Sequence, residues 1–298
     1  CRPEKKDIKE PTKWSCIYYA DYETDVTVSP HRPYMCCVCA GNVVKTFIGE
    51  KISERFLKCL QSNSLTYFHN LKYDACFFIN EPDWEVQVTQ RSGTLLQVVM
   101  DKYKTITTKD GIQRKIREKH LTFRNSYSII PAPLSAFGSM FDLKVHKEIM
   151  PYKIYTAENI VRKVIPYEEF RIQYREEQQD KKTKEELDQD YQQLLKNAKD
   201  AGAYELRPHT IDIMKYAQYY CKKDCLTLMC GMDEFNNDLA EVFKNTGRTF
   251  IGIHQFISVS AVGYDFARIY GCFDGCFQLS GKPHNFIQRC VSGGRTMT

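Results

Sequence analysis

The sequence predicts an α/β protein in which helices flank a mixed sheet. The first observation is a short apolar run at 16–20, because a continuous run of this length is typical of a strand buried on both faces. Two more apolar runs follow at 34–40 and 43–48, and Gly41-Asn42 between them is a two-residue hairpin signal. The opening of the chain is therefore expected to form three strands in an antiparallel meander.

Helices and strands alternate after this meander. Apolar residues recur at helical spacing within 50–62, which predicts an amphipathic helix. A strand is predicted at 65–69, a helix at 73–79 and further strands within 86–127. Three antiparallel strands followed by alternating helices and strands is the element order of a ribonuclease-H-like sheet, and this is the fold class that we predict.

A charged segment at 157–207 interrupts the alternation. It is rich in Glu, Gln, Asp and Lys and carries one thin apolar stripe, so we predict a solvated helical insertion with little core of its own. Helices are predicted at about 211–243 and at 254–270. These elements place one domain at 14–244, after a charged lead-in at 1–13.

The composition excludes several classes of protein. The chain has 298 residues, of which 43% are hydrophobic and 27% charged, and this mixture excludes a fully disordered or fibrous chain. No apolar run is long enough to cross a bilayer, so we expect no membrane partner. The net charge of +5 is compatible with a polyanionic partner, and the 19 tyrosines would suit base stacking.

The 13 cysteines are odd in number and lack the regular spacing of a disulfide framework. With a polar N-terminus and no signal-peptide pattern, we expect reduced thiols in a reducing intracellular compartment, the cytoplasm or the nucleus. Cys36-Cys37-x-Cys39 lacks a spaced second pair, so we interpret these residues as buried structural cysteines rather than zinc ligands. Because the chain begins at Cys1 and ends in a glycine-rich stretch, we expect a fragment of a longer protein.

Acidic residues mark three of the predicted elements. Asp21 and Glu23 are two residues apart at the predicted C-terminal end of the first strand, so their side chains share a face at a position that suits a ligand site. Asp74 lies near a helix start, where the helix dipole stabilises a carboxylate. Tyr220 and Asp224 are four residues apart on the long helix and stack on one face. Each signal alone also fits a structural role: a polar strand end, a first-turn Asp, or a core-facing Tyr with an Asp at its margin.

Together the four carboxylates predict a divalent metal site. Mg²⁺ in proteins is held by a few carboxylates together with water and substrate phosphate. Two such ions about 3.5–4 Å apart stabilise the attacking and leaving oxygens of a phosphodiester displacement. The pattern therefore predicts a phosphodiesterase with two Mg²⁺ or Mn²⁺ ions.

Three motifs resemble the exonuclease motifs of family B DNA polymerases, in their tyrosine subtype: Asp21-x-Glu23, Asn70-x-x-Tyr73-Asp74 and Tyr220-x-x-x-Asp224. Further stretches resemble the protein-primed branch, which is known from phages, adenoviruses, linear plasmids and Polinton-type elements. These stretches are Arg124-Asn125-Ser126-Tyr127, the lysine segment at 146–152 and Val291-Ser292-Gly293-Gly294-Arg295. The resemblance extends from about Trp14 to Thr298.

The resemblance implies a protein-primed DNA-directed DNA polymerase that takes part in DNA replication. This stretch would carry its 3′–5′ proofreading exonuclease and bind single-stranded DNA, and 245–298 would begin the polymerase region. The implied partners are the 3′ end of a DNA primer and a terminal priming protein. The implied catalytic residues are Asp21, Glu23, Asp74, Lys147, Tyr220 and Asp224. The implied DNA contacts are Thr24, Asn70, Tyr73, Ser126, Tyr127, Gly293 and Gly294.

The geometry of the motifs and the resemblance together assign expected roles within this set. Asp21, Glu23 and Asp224 would hold one metal ion, and Asp21 and Asp74 would hold the second. Tyr220 would position the attacking water, and Lys147 would stabilise charge on the scissile phosphate.

Several points stay open in the sequence. Lys144 and Lys153 lie near Lys147, which is preferred because Lys-x-x-Met-Pro best fits the spacing of the family's lysine segment. Val291 stands where the family has a tyrosine, and the polymerase motifs Asp-x-x-Ser-Leu-Tyr-Pro and Asp-Thr-Asp do not occur within 1–298. The alternatives are a stand-alone exonuclease of the four-carboxylate superfamily and a catalytically inactive nucleic-acid-binding module of this fold.

Overall fold

The computed structural model describes residues 11–108, 110, 112–244 and 250–272. The strands in this part of the chain are β1 (Ile17–Asp25), β2 (Arg32–Ala40), β3 (Val43–Ile48), β4 (Ser64–Phe68), β5 (Trp84–Arg91), β6 (Thr94–Thr107), β7 (Gln113–Asn125), β8 (Val164–Pro166), β9 (Tyr204–Glu205) and β10 (Thr210–Asp212). The α-helices are α1 (Ile52–Cys59), α2 (Leu71–Asp74), α3 (Phe137–Met140), α4 (Ala157–Arg162), α5 (Tyr167–Gln178), α6 (Lys184–Asp200), α7 (Ile213–Lys244) and α8 (Val259–Ile269).

Seven strands form one mixed sheet in the order β3-β2-β1-β4-β7-β6-β5. β1, β4 and β7 run parallel, whereas the other pairs in this sheet are antiparallel. The predicted meander is confirmed, with Gly41 in a left-handed conformation at the tip of its second hairpin. The predicted α/β class is also confirmed, and the order β3-β2-β1-β4 fits a ribonuclease-H-like sheet.

Two apolar cores lie on opposite faces of this sheet. Tyr19 belongs to one core, whereas Ala20 and Tyr22 belong to the other, as the alternation of side chains along β1 requires. α1 packs on the Tyr22 side, and α7 packs on the other side against β1 and β2. By the same alternation, Asp21 and Glu23 point to the face that α7 covers.

The charged segment forms helices α4, α5 and α6 together with a small sheet in the order β8-β10-β9. Its apolar stripe packs on the core that contains Tyr19, where Phe170 and Leu194 are fully buried. The Phe170 ring lies 5.0 Å from the Tyr216 ring of α7. The predicted helical character is confirmed, and the segment joins the existing core instead of building a separate one.

Two elements near the predicted site differ from the prediction. β1 continues through Asp25, so Asp21 and Glu23 lie within the strand and not at its end. A helix at 73–79 is wrong: α2 ends at Asp74, and a single 3-10 turn follows at Ala75–Phe77. Asn70 precedes this turn in a left-handed conformation, with a φ of 78°, which turns the chain sharply after β4.

The glycine-rich end of the chain lies outside the described residues, and so do the predicted contacts Gly293 and Gly294 and the departure at Val291. Within the described part, no helix is both long and apolar enough to cross a membrane. The cysteines of the described part are free, and Cys36, Cys37 and Cys39 are buried, as predicted.

Gly231 of α7 packs directly against the fully buried ring of Phe137. A Cβ at this position would lie 2.3 Å from Phe137 Cδ2. We expect Gly231→Ala to destabilise the fold by about 1–3 kcal/mol, the usual cost of overpacking a core, seen as a lower melting temperature. Gly263→Ala on α8 is the matched control, because no heavy atom lies within 4 Å of its Cβ. Equal melting temperatures for the two variants would contradict this packing.

Candidate active site

Asp21 and Glu23 are placed by the pairing of β1 with β2. Glu23 pairs with Met35 and Thr24 pairs with Pro33, so Tyr34 is an extra residue that makes a β-bulge. Bulges bend a strand locally and are frequent next to active sites. Glu23 is buried, and Asp21 is partly exposed to the space between β1 and α7.

Asp74 reaches the same region from the neighbouring strand. The turn after β4 places this buried carboxylate beside β1, where its Oδ1 accepts a hydrogen bond of 3.3 Å from the backbone N–H of Tyr22. This hydrogen bond joins α2 to Tyr22, the residue of β1 that lies between Asp21 and Glu23. The second predicted motif is thus brought against the first.

α7 brings the third motif. Tyr220 and Asp224 are both buried, and Asp224 forms an ion pair with Lys147, which lies in the segment between α3 and α4. The Lys147 ammonium also lies 4.8 Å from the centre of the Tyr220 ring, a cation–π contact. Of the three candidate lysines, Lys144 and Lys153 are exposed, so the geometry supports the choice of Lys147.

These side chains line one cavity of about 140 Å³. The predicted site residues on its wall are Asp21, Glu23, Asn70, Tyr73, Asp74, Lys147, Tyr220 and Asp224. A larger cleft of about 550 Å³ lies next to it, and the two share Asp21, His69, Asn70, Lys147 and Asp224. The cleft continues past Tyr127 and Leu134, so the cavity has an elongated approach.

The carboxylates repel one another in this buried setting. Burial raises the pKa of Asp21 to about 7, and the nearby Asp224 carboxylate adds to the rise. The pKa values of Glu23 and Asp74 are raised well above the usual range, mainly by burial and secondly by the nearby charge of Asp21. Burial lowers the pKa of Lys147, but Asp224, Tyr152 and Asp21 together outweigh this effect, and the net pKa is raised. Negative charge in this cavity therefore needs cationic compensation.

Two oxygen atoms show that the site suits a cation. Glu23 Oε1 and Asp224 Oδ1 are buried and have no hydrogen-bond partner among the described residues. Buried carboxylate oxygens are normally paired or coordinate a metal. Lys147 is the one cationic side chain among the described residues that line this cavity, against four carboxylates. The donor set is rich in oxygen, as hard divalent cations require.

The closest group of potential metal ligands among the described residues differs from the predicted set of Asp21, Glu23 and Asp224 in its third residue. The ligand atoms of Asp21, Glu23 and Cys221 all lie within 4.8 Å of one another. Asp224 Oδ2 is instead taken by Lys147, although Asp224 lines the same cavity. Asp74 lines the same cavity but is not in this group, and its Oδ1 accepts a hydrogen bond from the backbone N–H of Tyr22.

The predicted DNA contacts fall into two groups. Asn70 and Tyr127 are exposed and line the larger cleft, and Tyr73 is half-buried on the wall of the cavity. The Tyr73 hydroxyl is hydrogen-bonded to Thr24 Oγ1 at 2.6 Å and to His31 Nδ1 at 2.7 Å.

Thr24 and Ser126 are buried, so neither presents its side chain to the cleft surface in this structure. Ser126 Oγ donates to the carbonyl of Phe68 at 3.1 Å and lies 3.0 Å from His69 Nδ1. The structure thus places Ser126 behind His69, and Thr24 behind Tyr73, where each supports a residue that does line the cavity.

Sequence reasoning missed three residues that line or support the site. The Tyr152 hydroxyl is 2.7 Å from the Tyr220 hydroxyl, and His69 lines both the cavity and the cleft. Burial and the charge of Lys147 lower the pKa of His69 to about 4, so this ring is neutral near pH 7. Asn125 Oδ1 accepts hydrogen bonds from the backbone N–H groups of Asn70 and Tyr127, 3.2 Å each. All three lie within or beside the motifs identified in the sequence, and this proximity is the signal that could have found them.

The fold and the cavity define a class of protein: a ribonuclease-H-like α/β domain whose buried carboxylates converge on one site. Residues 57–298 match the family described as DNA polymerase type B, organellar and viral. The match covers most of the chain, and the chain belongs to this family of DNA polymerases. A comparison with curated proteins finds no match.

The chain is also similar to solved structures of the phi29 DNA polymerase. The complex of that protein with single-stranded DNA has 17% identity and a TM-score of 0.42, covering 75% of this chain and 32% of that one. Its ternary complex with primer-template DNA and incoming nucleotides has 18% identity and a TM-score of 0.41, covering 77% of this chain and 34% of that one. The chain spans about a third of the length of these structures.

Proposed function

We propose that this chain carries the 3′–5′ exonuclease of a protein-primed DNA polymerase that takes part in DNA replication. One observation carries the proposal: four acidic side chains, a lysine and a tyrosine from β1, α2, α7 and the segment before α4 converge on a single cavity beside an elongated cleft. The domain would be 14–244, with 157–207 as its insertion, and 245–298 would begin the polymerase region. Membership of the type B polymerase family supports this assignment.

The proposed cofactors are two divalent cations, Mg²⁺ or Mn²⁺. Asp21, Glu23 and Asp224 would hold one and Asp21 and Asp74 the other, and the unpartnered oxygens of Glu23 and Asp224 support this. When bound, the cations supply Lewis-acid polarisation of the scissile phosphate and activation of water. A cation bound through the unpartnered Oδ1 would compete with Lys147 for the charge of Asp224.

The remaining side chains would orient the reacting groups. Release of Asp224 would leave the Lys147 ammonium free to meet the negative charge that develops on the phosphate. The Tyr220 hydroxyl would hold the attacking water, and its 2.7 Å bond to the Tyr152 hydroxyl limits the directions in which it can point.

The proposed substrate is the 3′ end of single-stranded DNA. Its terminal nucleotide would enter the cavity, and the preceding nucleotides would lie along the cleft past Asn70 and Tyr127. The half-buried ring of Tyr73 offers a stacking surface, and stacking contributes about 1–3 kcal/mol per base. A terminal priming protein would be a further partner of the whole polymerase.

The Tyr220→Phe variant tests the proposed orientation of water. It removes one hydroxyl and keeps the ring, so packing of α7 should survive. We expect hydrolysis of a 3′-labelled single strand to slow by up to about a hundredfold, the cost of misplacing a reactant by about 1 Å. DNA affinity should be nearly unchanged, as for an interaction made mainly in the transition state.

Tyr216→Phe is the matched control for this variant. Tyr216 lies one turn earlier on α7, and its hydroxyl donates to the carbonyl of Ile149 at 2.6 Å, away from the cavity. This variant should lose a hydrogen bond and keep its hydrolysis rate. Equal rates for Tyr220→Phe and Tyr216→Phe would contradict a role for the Tyr220 hydroxyl.

A further inference from the structure

Cys221 lies next to Tyr220 on α7, on the side of the helix that faces β1. Its thiol is fully buried and donates a hydrogen bond of 3.5 Å to the backbone carbonyl of Asp21. The contact brings Sγ to within 4.8 Å of carboxylate oxygens of both Asp21 and Glu23. A sulfur and an oxygen atom bonded to one zinc ion, at about 2.3 Å and about 2.0–2.2 Å, lie at most about 4.5 Å apart. The observed limit of 4.8 Å is only slightly larger, so small side-chain movements would bring these atoms onto one ion.

A second observation independently points to a ligand between these groups. Glu23 is 4% exposed, and its Oε1 has no hydrogen-bond partner among the described residues. Lys147 pairs with Asp224 and not with Glu23, so the lysine does not satisfy this oxygen. A cation held by Asp21, Glu23 and Cys221 would satisfy it.

We propose that Cys221 is a ligand for thiophilic divalent cations in the Asp21–Glu23 site. The proposal rests on the proposed function in one respect, that these two carboxylates bind a divalent cation. Thiolate favours borderline and soft ions such as Zn²⁺, Cd²⁺ and Co²⁺, whereas Mg²⁺ prefers oxygen. Coordination through sulfur replaces the thiol proton, which is released to solvent.

The consequence is a change in metal preference. A site of carboxylates alone discriminates little in favour of soft ions, whereas one with a sulfur ligand holds them more tightly than Mg²⁺. Zn²⁺ and Cd²⁺ would then displace Mg²⁺ from Asp21 and Glu23. Mg²⁺ itself would bind through the oxygens and leave the thiol protonated.

Cobalt spectroscopy tests this ligand without reference to catalysis. Co²⁺ bound to sulfur gives a thiolate-to-metal charge-transfer band in the near ultraviolet, which Co²⁺ bound to oxygen alone does not give. Co²⁺ would be titrated into the wild-type chain, Cys221→Ser and Cys225→Ser. Cys225 is the matched control, because it is one turn further along α7, equally buried, and outside the ligand group.

The wild type and Cys225→Ser should show the band, and Cys221→Ser should lack it. Cd²⁺ affinity should fall at least about tenfold in Cys221→Ser, since loss even of an outer-shell partner typically costs about 10–100-fold, and Mg²⁺ affinity should stay similar. A wild type that binds Co²⁺ without the band, or a band that persists in Cys221→Ser, would overturn the proposal.

Two further measurements separate the possible failures. The band should also disappear in Asp21→Asn with Glu23→Gln, which leaves every thiol in place; a band that survives there comes from other cysteines and overturns the assignment. Hydrolysis is measured separately with Mg²⁺ or Mn²⁺. A band present without any hydrolysis would refute the proposed function and leave the sulfur ligand standing.

Discussion

Hydrolysis of single-stranded DNA should fall by about a thousandfold or more when Asp21 and Asp74 are both replaced by asparagine. Metal ions contribute several kcal/mol of transition-state stabilisation, and about 4 kcal/mol corresponds to a thousandfold in rate. Asparagine keeps the shape of each side chain, and its amide oxygen in place of the Asp74 carboxylate could still accept from the backbone N–H of Tyr22. Rates are to be measured with saturating Mg²⁺ or Mn²⁺.

The fold should survive this double substitution because it relieves repulsion between buried carboxylates. Its melting temperature without metal should therefore equal or exceed that of the wild type. Asp101→Asn is the matched control, since Asp101 is also a buried acid but pairs with His120 and Arg117, away from the cavity. Metal-dependent hydrolysis retained by the double variant would contradict the carboxylate site.

The second large effect is expected for Lys147→Ala. Loss of its ammonium should slow hydrolysis by about a hundredfold or more, the usual cost of removing one preorganised electrostatic contact. It should also destabilise the metal-free chain by about 3 kcal/mol, because removal of one partner leaves the Asp224 carboxylate buried and unpaired. Added Mg²⁺ should restore part of the lost melting temperature by compensating that charge.

Lys144→Ala and Lys153→Ala are the controls for this effect, because both side chains are exposed. Each should leave melting temperature and hydrolysis close to the wild-type values. A defect in either control together with a normal Lys147→Ala variant would show that the choice of lysine is wrong.

The parts of the site that could be predicted depend on short-range regularities. A strand period of two places Asp21 and Glu23 on one face, and a helix spacing of four aligns Tyr220 with Asp224; the structure has both arrangements. The meander and the amphipathic helix α1 follow from equally local patterns. These features can be predicted without knowing which helices and strands pack against each other.

The parts that could not be predicted depend on contacts between distant residues. The pairing of Lys147 with Asp224 and the approach of Cys221 to Asp21 arise only when α7 packs on β1. The burial of Ser126 behind His69 likewise depends on the neighbouring β4 and β7. The short α2 reflects the tight turn at Asn70, whose left-handed conformation the apolar pattern does not reveal.

The most direct test of the central claim is the polarity and metal dependence of hydrolysis by the wild-type chain. Single-stranded DNA labelled at its 5′ end is incubated with the chain and Mg²⁺ or Mn²⁺, and product lengths are followed over time. We expect a ladder of 5′-labelled products that shorten stepwise from the 3′ end, and no products when the metal is chelated. Immediate release of labelled mononucleotide, metal-independent cleavage, or intact DNA in the presence of metal would contradict the proposed 3′–5′ exonuclease.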